Sequence, residues 1–259
     1  MHIYSDSRPY SESVKAVAIV LLVVGIGGCR SGPDDRIAWA HQLGRDPTEP
    51  NKNRVERLLE DDDRDVRATA LVVMGSMDAP RAKRMAAGAL ADRDGLVRAA
   101  AVTVLADAPD AAMTKTLVSL AADDPVWQVR ARALQAVAAV DRDVLGDVFT
   151  RALSDPVRHV RRTALTACAD HPGLCPAERL SLLIAEDRDW ENRVAAAQAL
   201  GASRDPAAYA GLDAGLGDPN EFVRAASAAA RRALERAAVQ RPAAPAPPPP
   251  AGEKPKPGV

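Results

Sequence analysis

Aromatic residues and an excess of either charge are what this 259-residue sequence lacks. Phe, Trp and Tyr make up only 3% of it, although 47% of the residues are hydrophobic. Sheets are enriched in aromatic and β-branched residues, whereas alanine has the highest helix propensity, so the composition favours close-packed helices over a β-sandwich. The 34 basic and 35 acidic residues leave a formal net charge of -1. Nucleic-acid-binding proteins normally carry a basic excess or stripe, so the balance argues against nucleic acid as a partner.

Motifs for catalysis or metal binding are also missing. The four histidines are His2, His41, His159 and His171, and none has a second histidine at helical spacing or forms an H-E-x-x-H motif. Neither G-x-S-x-G nor the phosphate-binding G-x-x-x-x-G-K-[ST] occurs. The sequence therefore predicts a protein that is not an enzyme and that has no metal site and no cofactor.

The one long apolar run lies near the amino terminus. Lys15 precedes the run AVAIVLLVVGIGG, which Cys29 follows. A transmembrane helix needs about 20 apolar residues, so a run of this length is typical of the central part of a signal peptide. We predict a signal peptide over residues 1–28 and a short linker over residues 29–35.

The end of this run resembles a bacterial lipobox. The sequence IGGC has an aliphatic residue, two small residues and then the cysteine that lipoproteins lipidate. The resemblance implies lipid attachment at Cys29 and a membrane-anchored protein of the bacterial cell envelope. In Gram-negative lipoproteins an Asp after the cysteine signals retention in the inner membrane, so Arg30 implies the outer membrane. An ordinary secretory signal with a coincidental cysteine is the alternative.

A tandem repeat of 31 or 32 residues fills most of the sequence. Its marker is an arginine that follows an aspartate by six residues, and six copies in one register cannot arise by chance. A valine precedes this reference arginine and an alanine follows it by three residues, with Asn192 and Ser227 as the exceptions. The marker pairs are Asp61 and Arg67, Asp92 and Arg98, Asp124 and Arg130, Asp155 and Arg161, Asp187 and Arg193, and Asp218 and Arg224.

Each repeat is predicted to contain two helices. Apolar residues recur three, four and seven residues after the reference arginine, as in Ala133, Leu134 and Val137, which is one face of a helix. We expect Gly75 and Gly201 to end two of these second helices. Four residues before the arginine stand side chains that can cap the second helix, namely Asp63, Asp94, Asp189 and Asn220.

The pattern D-x-x-x-x-V-R-x-x-A resembles HEAT repeats and, among them, the short HEAT-like units of phycobilisome-lyase-type proteins. The resemblance covers residues 36–238 and implies an all-α fold, an α-solenoid of about six two-helix repeats. Arg36 stands 31 residues before Arg67, so the segment RIAWAHQLG is predicted to be a half-repeat that caps the amino-terminal end. In HEAT proteins the aspartates and arginines of neighbouring units form a ladder, which implies a structural role for all twelve marker residues.

A solenoid without catalytic motifs is a candidate for binding another protein, because stacked repeats present an extended surface to partners. Our first hypothesis is a non-enzymatic, membrane-anchored scaffold that binds an unidentified protein in the cell envelope. An accessory or cofactor-loading factor for an enzyme, as in lyase-type relatives, is a second hypothesis. A purely structural envelope spacer is a third.

The partner-binding residues that we predict are Trp127, Arg158 and Trp190. They stand three residues before the reference arginine in consecutive repeats, so stacking should place both indoles on one edge with Arg158 between them. His159 and Phe222 occupy the following position in their repeats. Trp and Arg are strongly enriched in protein-binding hot spots. The alternative is that each indole only covers the neighbouring turn.

Cys168 and Cys175 flank the turn ADHPGL. Export to an oxidising compartment and a tight turn favour a disulfide between them. Two unpaired thiols are one alternative, and a metal site that adds His171 is another.

The segment after residue 238 is rich in proline. It ends in RPAAPAPPPPAGEKPKPGV, which has few side chains suited to a core. Residues 239–259 are therefore predicted to be a disordered tail with polyproline II character, a spacer of about 3.1 Å per residue.

Overall fold

The structure, a computed structural model, describes residues 32–106, 111–138 and 146–239. These ranges contain thirteen α-helices and no strand, which confirms the predicted all-α repeat solenoid. The predicted signal peptide and Cys29 lie outside the described residues, as does the predicted tail except for Val239, which is the last residue of a helix.

The helices follow one another along the chain with short connections. Their bounds are α1 Pro33–Gly44, α2 Glu49–Arg57, α3 Arg64–Met77, α4 Ala79–Ala89, α5 Gly95–Leu105, α6 Ala111–Asp123, α7 Trp127–Ala138, α8 Gly146–Ala152, α9 Arg158–Asp170, α10 Ala177–Glu186, α11 Trp190–Ser203, α12 Ala208–Leu216 and α13 Glu221–Val239, with a 3₁₀ turn at Leu58–Glu60 after α2.

The odd-numbered helices carry the reference arginines, and the even-numbered helices are the first helices of the repeats. Each odd-numbered helix packs on the next one, from α1 on α3 to α11 on α13. The first odd-numbered helix, α1, contains Arg36 and begins at Pro33, so the last residues of the predicted linker are already helical. The half-repeat that we predicted therefore starts three residues earlier than its sequence pattern indicated.

Helix starts follow the predicted caps. The Asp63 carboxylate accepts hydrogen bonds from the backbone N–H groups of Asp65 and Val66, which are otherwise free in the first turn of α3. Asp94, Asp189 and Asn220 accept equivalent bonds at the starts of α5, α11 and α13.

The core of the array is built largely on alanine. The position three residues after the reference arginine is fully buried in all six repeats, and it holds Ala70, Ala101, Ala133, Ala164, Ala196 and Ser227. Such small side chains let helices approach closely, while Phe149 and the leucines fill the wider spaces.

Two glycines do not end their helices as we predicted. α3 and α11 continue to Met77 and Ser203, two residues beyond Gly75 and Gly201. Gly201 instead permits a close approach of α11 and α13, because an added Cβ would lie only 2.7 Å from the Cβ of Ala230. Packing between repeats thus explains this glycine better than helix termination does.

Candidate functional site

The marker residues form a continuous ladder of ion pairs between repeats. Arg130 shows the pattern: its Nε and Nη2 donate to Oδ2 and Oδ1 of Asp155 in the next repeat, at 2.7 and 2.9 Å. Its Nη1 donates to the backbone oxygen of Asp124 in its own repeat at 2.8 Å. The other ladder pairs are Arg36 with Asp61, Arg67 with Asp92, Arg98 with Asp124, Arg161 with Asp187, and Arg193 with Asp218.

The two ends of the ladder differ from its middle. Arg36, which sequence reasoning placed only in the capping half-repeat, supplies the first arginine of the ladder. At the other end, Arg224 donates only to the backbone oxygens of Asp218 and Pro219, and no carboxylate in the described ranges pairs with it. The 31-residue spacing between Arg36 and Arg67 was the signal that could have placed Arg36 in the ladder.

Burial and hydrogen bonding act in opposite directions on the ladder carboxylates. The Asp187 side chain is fully buried, which works to raise its pKa. Hydrogen bonds from the Arg161 guanidinium and from the backbone N–H of Asp189 outweigh this burial and hold the pKa of Asp187 below its usual value. The pKa of Asp92 is lowered against burial in the same way, by Arg67 and the backbone of Asp94. These carboxylates are therefore held in the charged form, as structural pairing requires.

A polar residue that breaks the repeat pattern belongs to the same network. Asn192 occupies the buried position that valine holds in the other repeats. Its Nδ2 donates to Oδ2 of Asp187 at 3.3 Å and to the backbone oxygen of Arg158 at 3.2 Å, and its Oδ1 accepts from Nε of Arg162 at 2.9 Å. Because both the nitrogen and the oxygen of its side-chain amide are hydrogen-bonded, the polar Asn192 is accommodated in the core. Its departure from valine was the only sign in the sequence.

A second row of contacts between repeats starts at the helix amino termini, three residues before the reference arginines. Trp127 stacks on His159 of the next repeat, with ring centroids 5.0 Å apart and planes inclined by 25°. Trp190 stacks on Phe222 of the next repeat at 5.4 Å and 30°. Between these pairs, Nη1 of Arg158 lies 2.7 Å from Oδ2 of Asp189. We call Trp127, Arg158, His159, Trp190 and Phe222 the aromatic edge.

The aromatic edge is packed and exposed at once. Its rings stack on one another between successive repeats. Yet Trp190 remains 40% exposed and Phe222 57% exposed. His159 is also exposed, and Trp127 is half-buried. The structure thus brings the three predicted residues into one row and adds His159 and Phe222 as their stacking partners.

Cys168 and Cys175 form a disulfide in the structure, with Cα atoms 5.6 Å apart. Cys175 lies two residues before the start of α10 at Ala177. The closed loop contains Gly173 at a φ of +90°, a conformation that favours glycine. In the described part of the chain, no three His, Cys, Asp or Glu side chains cluster as metal ligands.

Stacked helix pairs joined by an ion-pair ladder define the protein as an α-solenoid repeat protein. A family model for HEAT repeats matches residues 51–138 and 147–235, well over half of the chain. The chain therefore belongs to the HEAT-repeat family. Comparison with curated proteins found no match. None of the helices in the described ranges has the length and apolar character needed to span a membrane.

Two solved structures show the same type of fold at low sequence identity. The Escherichia coli protein YibA is 18% identical with a TM-score of 0.57, over 83% of this chain and 81% of that one. An engineered protein is 16% identical with a TM-score of 0.52, over 72% and 97%. The complex of CpcE and CpcF of phycocyanin lyase from Nostoc is 20% identical with a TM-score of 0.42, over 85% and 92%.

Proposed function

We propose that this HEAT-repeat protein is a non-enzymatic scaffold that binds another protein in the bacterial cell envelope, and that the aromatic edge contacts this partner. The observation that carries the proposal is the pair of ring stacks with partly exposed faces, Trp127 on His159 and Trp190 on Phe222. Aromatic and arginine side chains dominate the energetics of protein interfaces, and solenoids present extended surfaces to partners.

The side chains of the aromatic edge are already ordered in the free protein, which favours this edge over other surfaces as the partner-binding site. Immobilising a flexible side chain at an interface costs about 0.5–1.5 kcal/mol, and rings already stacked in the free protein avoid part of that cost. Arg158 is held by Asp189 in the same way. The ladder arginines are less suited to a ligand, because their guanidinium groups are already bonded to carboxylates or carbonyls within the array.

The envelope location rests on the sequence of the amino terminus. Lipid attachment at Cys29 would anchor the protein, and Arg30 favours the outer membrane. Pro33 begins α1 four residues after Cys29, so an extended connection spans at most about 14 Å. Anchoring at Cys29 would therefore hold the amino-terminal end of the solenoid close to the membrane.

The test of the aromatic edge is a Trp127→Ala, Trp190→Ala double variant, crosslinked in intact cells and followed by affinity capture and mass spectrometry. Trp39→Ala is the matched control, because Trp39 is 41% exposed but lies on α1, outside the aromatic edge. We expect the wild type and Trp39→Ala to capture the same partner and the double variant to lose it with an unchanged circular dichroism melt. Retained capture by a folded double variant would contradict the proposal.

The anchor is tested separately by labelling with palmitate. We expect incorporation into the wild type and no incorporation into Cys29→Ala, while Cys168→Ala keeps its label. Equal labelling of the wild type and Cys29→Ala would refute lipid attachment at this residue without affecting the test of the aromatic edge.

A further inference from the structure

A shallow apolar concavity of about 590 Å³ lies at the carboxyl-terminal ends of α11 and α13, whose amino-terminal ends carry the ladder. Its volume is within the range of about 300–1,000 Å³ that is usual for ligand pockets. The residues that line it are Pro172, Gly201, Ala202, Arg204, Ala233 and Ala237.

The concavity exists because closely packed helices end in small side chains. Gly201 brings α11 against Ala230 of α13, and the side chains that these two helices contribute to the concavity are those of Ala202, Ala233 and Ala237. Pro172 forms another wall and lies in the loop that the Cys168–Cys175 disulfide closes. The site is thus a largely apolar surface of alanine, glycine and proline, and Arg204 is the one charged residue among those that line it.

The nearest part of the chain beyond the described residues is the segment that follows α13. Val239 is the last described residue and follows Ala237, a lining residue, by two positions. Pro242 cannot continue the helix. The connection from Val239 to Pro242 is three residues long and can span at most about 11 Å. The segment that starts there, PAAPAPPPP, carries no charged side chain from Pro242 to Pro250.

The chemistry of this segment fits the concavity. Alanine and proline lose almost no side-chain entropy when they are immobilised. Proline-rich sequences also prefer the polyproline II conformation, in which nine residues extend about 28 Å, so little backbone order is lost on docking. A ligand that is tethered this closely has an effective concentration on the order of 1 mM, at which even weak docking is populated.

We propose that residues 242–250 of the chain dock in this concavity of the same molecule and cover the ends of α11 and α13. This intramolecular contact does not depend on the proposed partner or on the lipid anchor. It makes the proline-rich segment part of the carboxyl-terminal cap of the array and leaves residues 251–259, with Lys254 and Lys256, beyond the docked part.

The experiment compares two variants of the full-length, disulfide-bonded protein by amide NMR and hydrogen exchange. One replaces residues 242–250 with a Gly-Ser sequence of equal length, and the control replaces residues 251–259, which are also nine residues. With a docking constant near the effective concentration of about 1 mM, half of the molecules are docked. We therefore expect the first variant to shift the Gly201, Ala202 and Ala237 resonances and to exchange the last-turn amides of α13 about twofold faster.

The control should leave these resonances and exchange rates as they are in the wild type. Unchanged Gly201 and Ala237 resonances in the first variant, or equal changes in both variants, would overturn the proposal. A dilution series distinguishes docking of the molecule's own tail from docking of the tail of a second copy. Shifts that are independent of dilution support docking within one molecule, whereas shifts that disappear on dilution would assign the concavity to the tail of a second copy and overturn it.

Discussion

Removing one ladder arginine from the middle of the array should destabilise the protein far more than removing an arginine from its surface. Arg130 is the case to test, because its side chain is only 11% exposed and that of its partner Asp155 only 10%. Arg130→Ala deletes two hydrogen bonds to the carboxylate and one to the backbone oxygen of Asp124. Asp155 is then left with the single backbone N–H of Val157.

The magnitude follows from the burial of the charge that remains. Removing one partner of a fully buried ion pair costs about 3–5 kcal/mol, because the other charge is left without compensation. Asp155 keeps a tenth of its exposure and one hydrogen bond, so we take the lower end of this range. We therefore expect Arg130→Ala to reduce the free energy of unfolding by about 3 kcal/mol, a large part of the ~5–15 kcal/mol typical of a domain.

Two controls isolate the ladder contribution in urea denaturation. Arg132→Ala removes an exposed arginine from the same helix, α7, and should change the free energy of unfolding by no more than about 0.5 kcal/mol. Arg224→Ala removes the arginine at the ladder position of the last repeat, where it bonds only to backbone oxygens, and should cost about 1 kcal/mol. Adding Asp155→Ala to Arg130→Ala should restore part of the lost stability, because no unpaired carboxylate remains.

A loss in Arg130→Ala no greater than that in Arg132→Ala would refute this reasoning. Unchanged stability together with loss of partner capture would instead identify the ladder as a binding site. Hydrogen exchange adds a second measurement, since neighbouring repeats share interfaces and the loss of protection should extend from α7 into α5 and α9.

Two further predictions concern acid and a buried hydroxyl. The pKa values of Asp187, Asp92 and Asp218 are lowered in the folded protein, so their stabilisation is complete above the unfolded value of about 3.9 and is lost as the pH falls through the folded values. Urea midpoints should therefore drop between pH 5 and pH 2.5, and a flat profile would contradict the argument. Ser227 is fully buried, and its hydroxyl has no hydrogen-bond partner among the described residues, so Ser227→Ala should raise the free energy of unfolding by about 1 kcal/mol. Ser181→Ala, which removes a hydroxyl bonded to the backbone oxygen of Ala177, should give no such gain; equal effects would disprove the explanation.

The sequence by itself determined the class of fold and the ladder residues of the inner repeats, but not the part that Arg36 and Arg224 take at its two ends. The local signals are helical periodicity, caps such as Asp63, and the marker pairs. Because six copies share one register, each signal can be recognised even where a single repeat departs from it. The same register predicted that Trp127, Arg158 and Trp190 occupy equivalent positions in consecutive repeats. These features depend on neighbours within a few residues along the chain, which is why a pattern can reveal them.

Only the tertiary structure decided how one repeat meets the next. The arginine of every repeat but the last pairs with the aspartate about 25 residues further on, while it bonds the backbone of its own marker aspartate. The stacking of Trp190 on Phe222, the bonded amide of Asn192 and the close approach at Gly201 likewise depend on the distance and angle between packed helices. That geometry arises from the combined shape of side chains far apart in sequence, so no local pattern contains it.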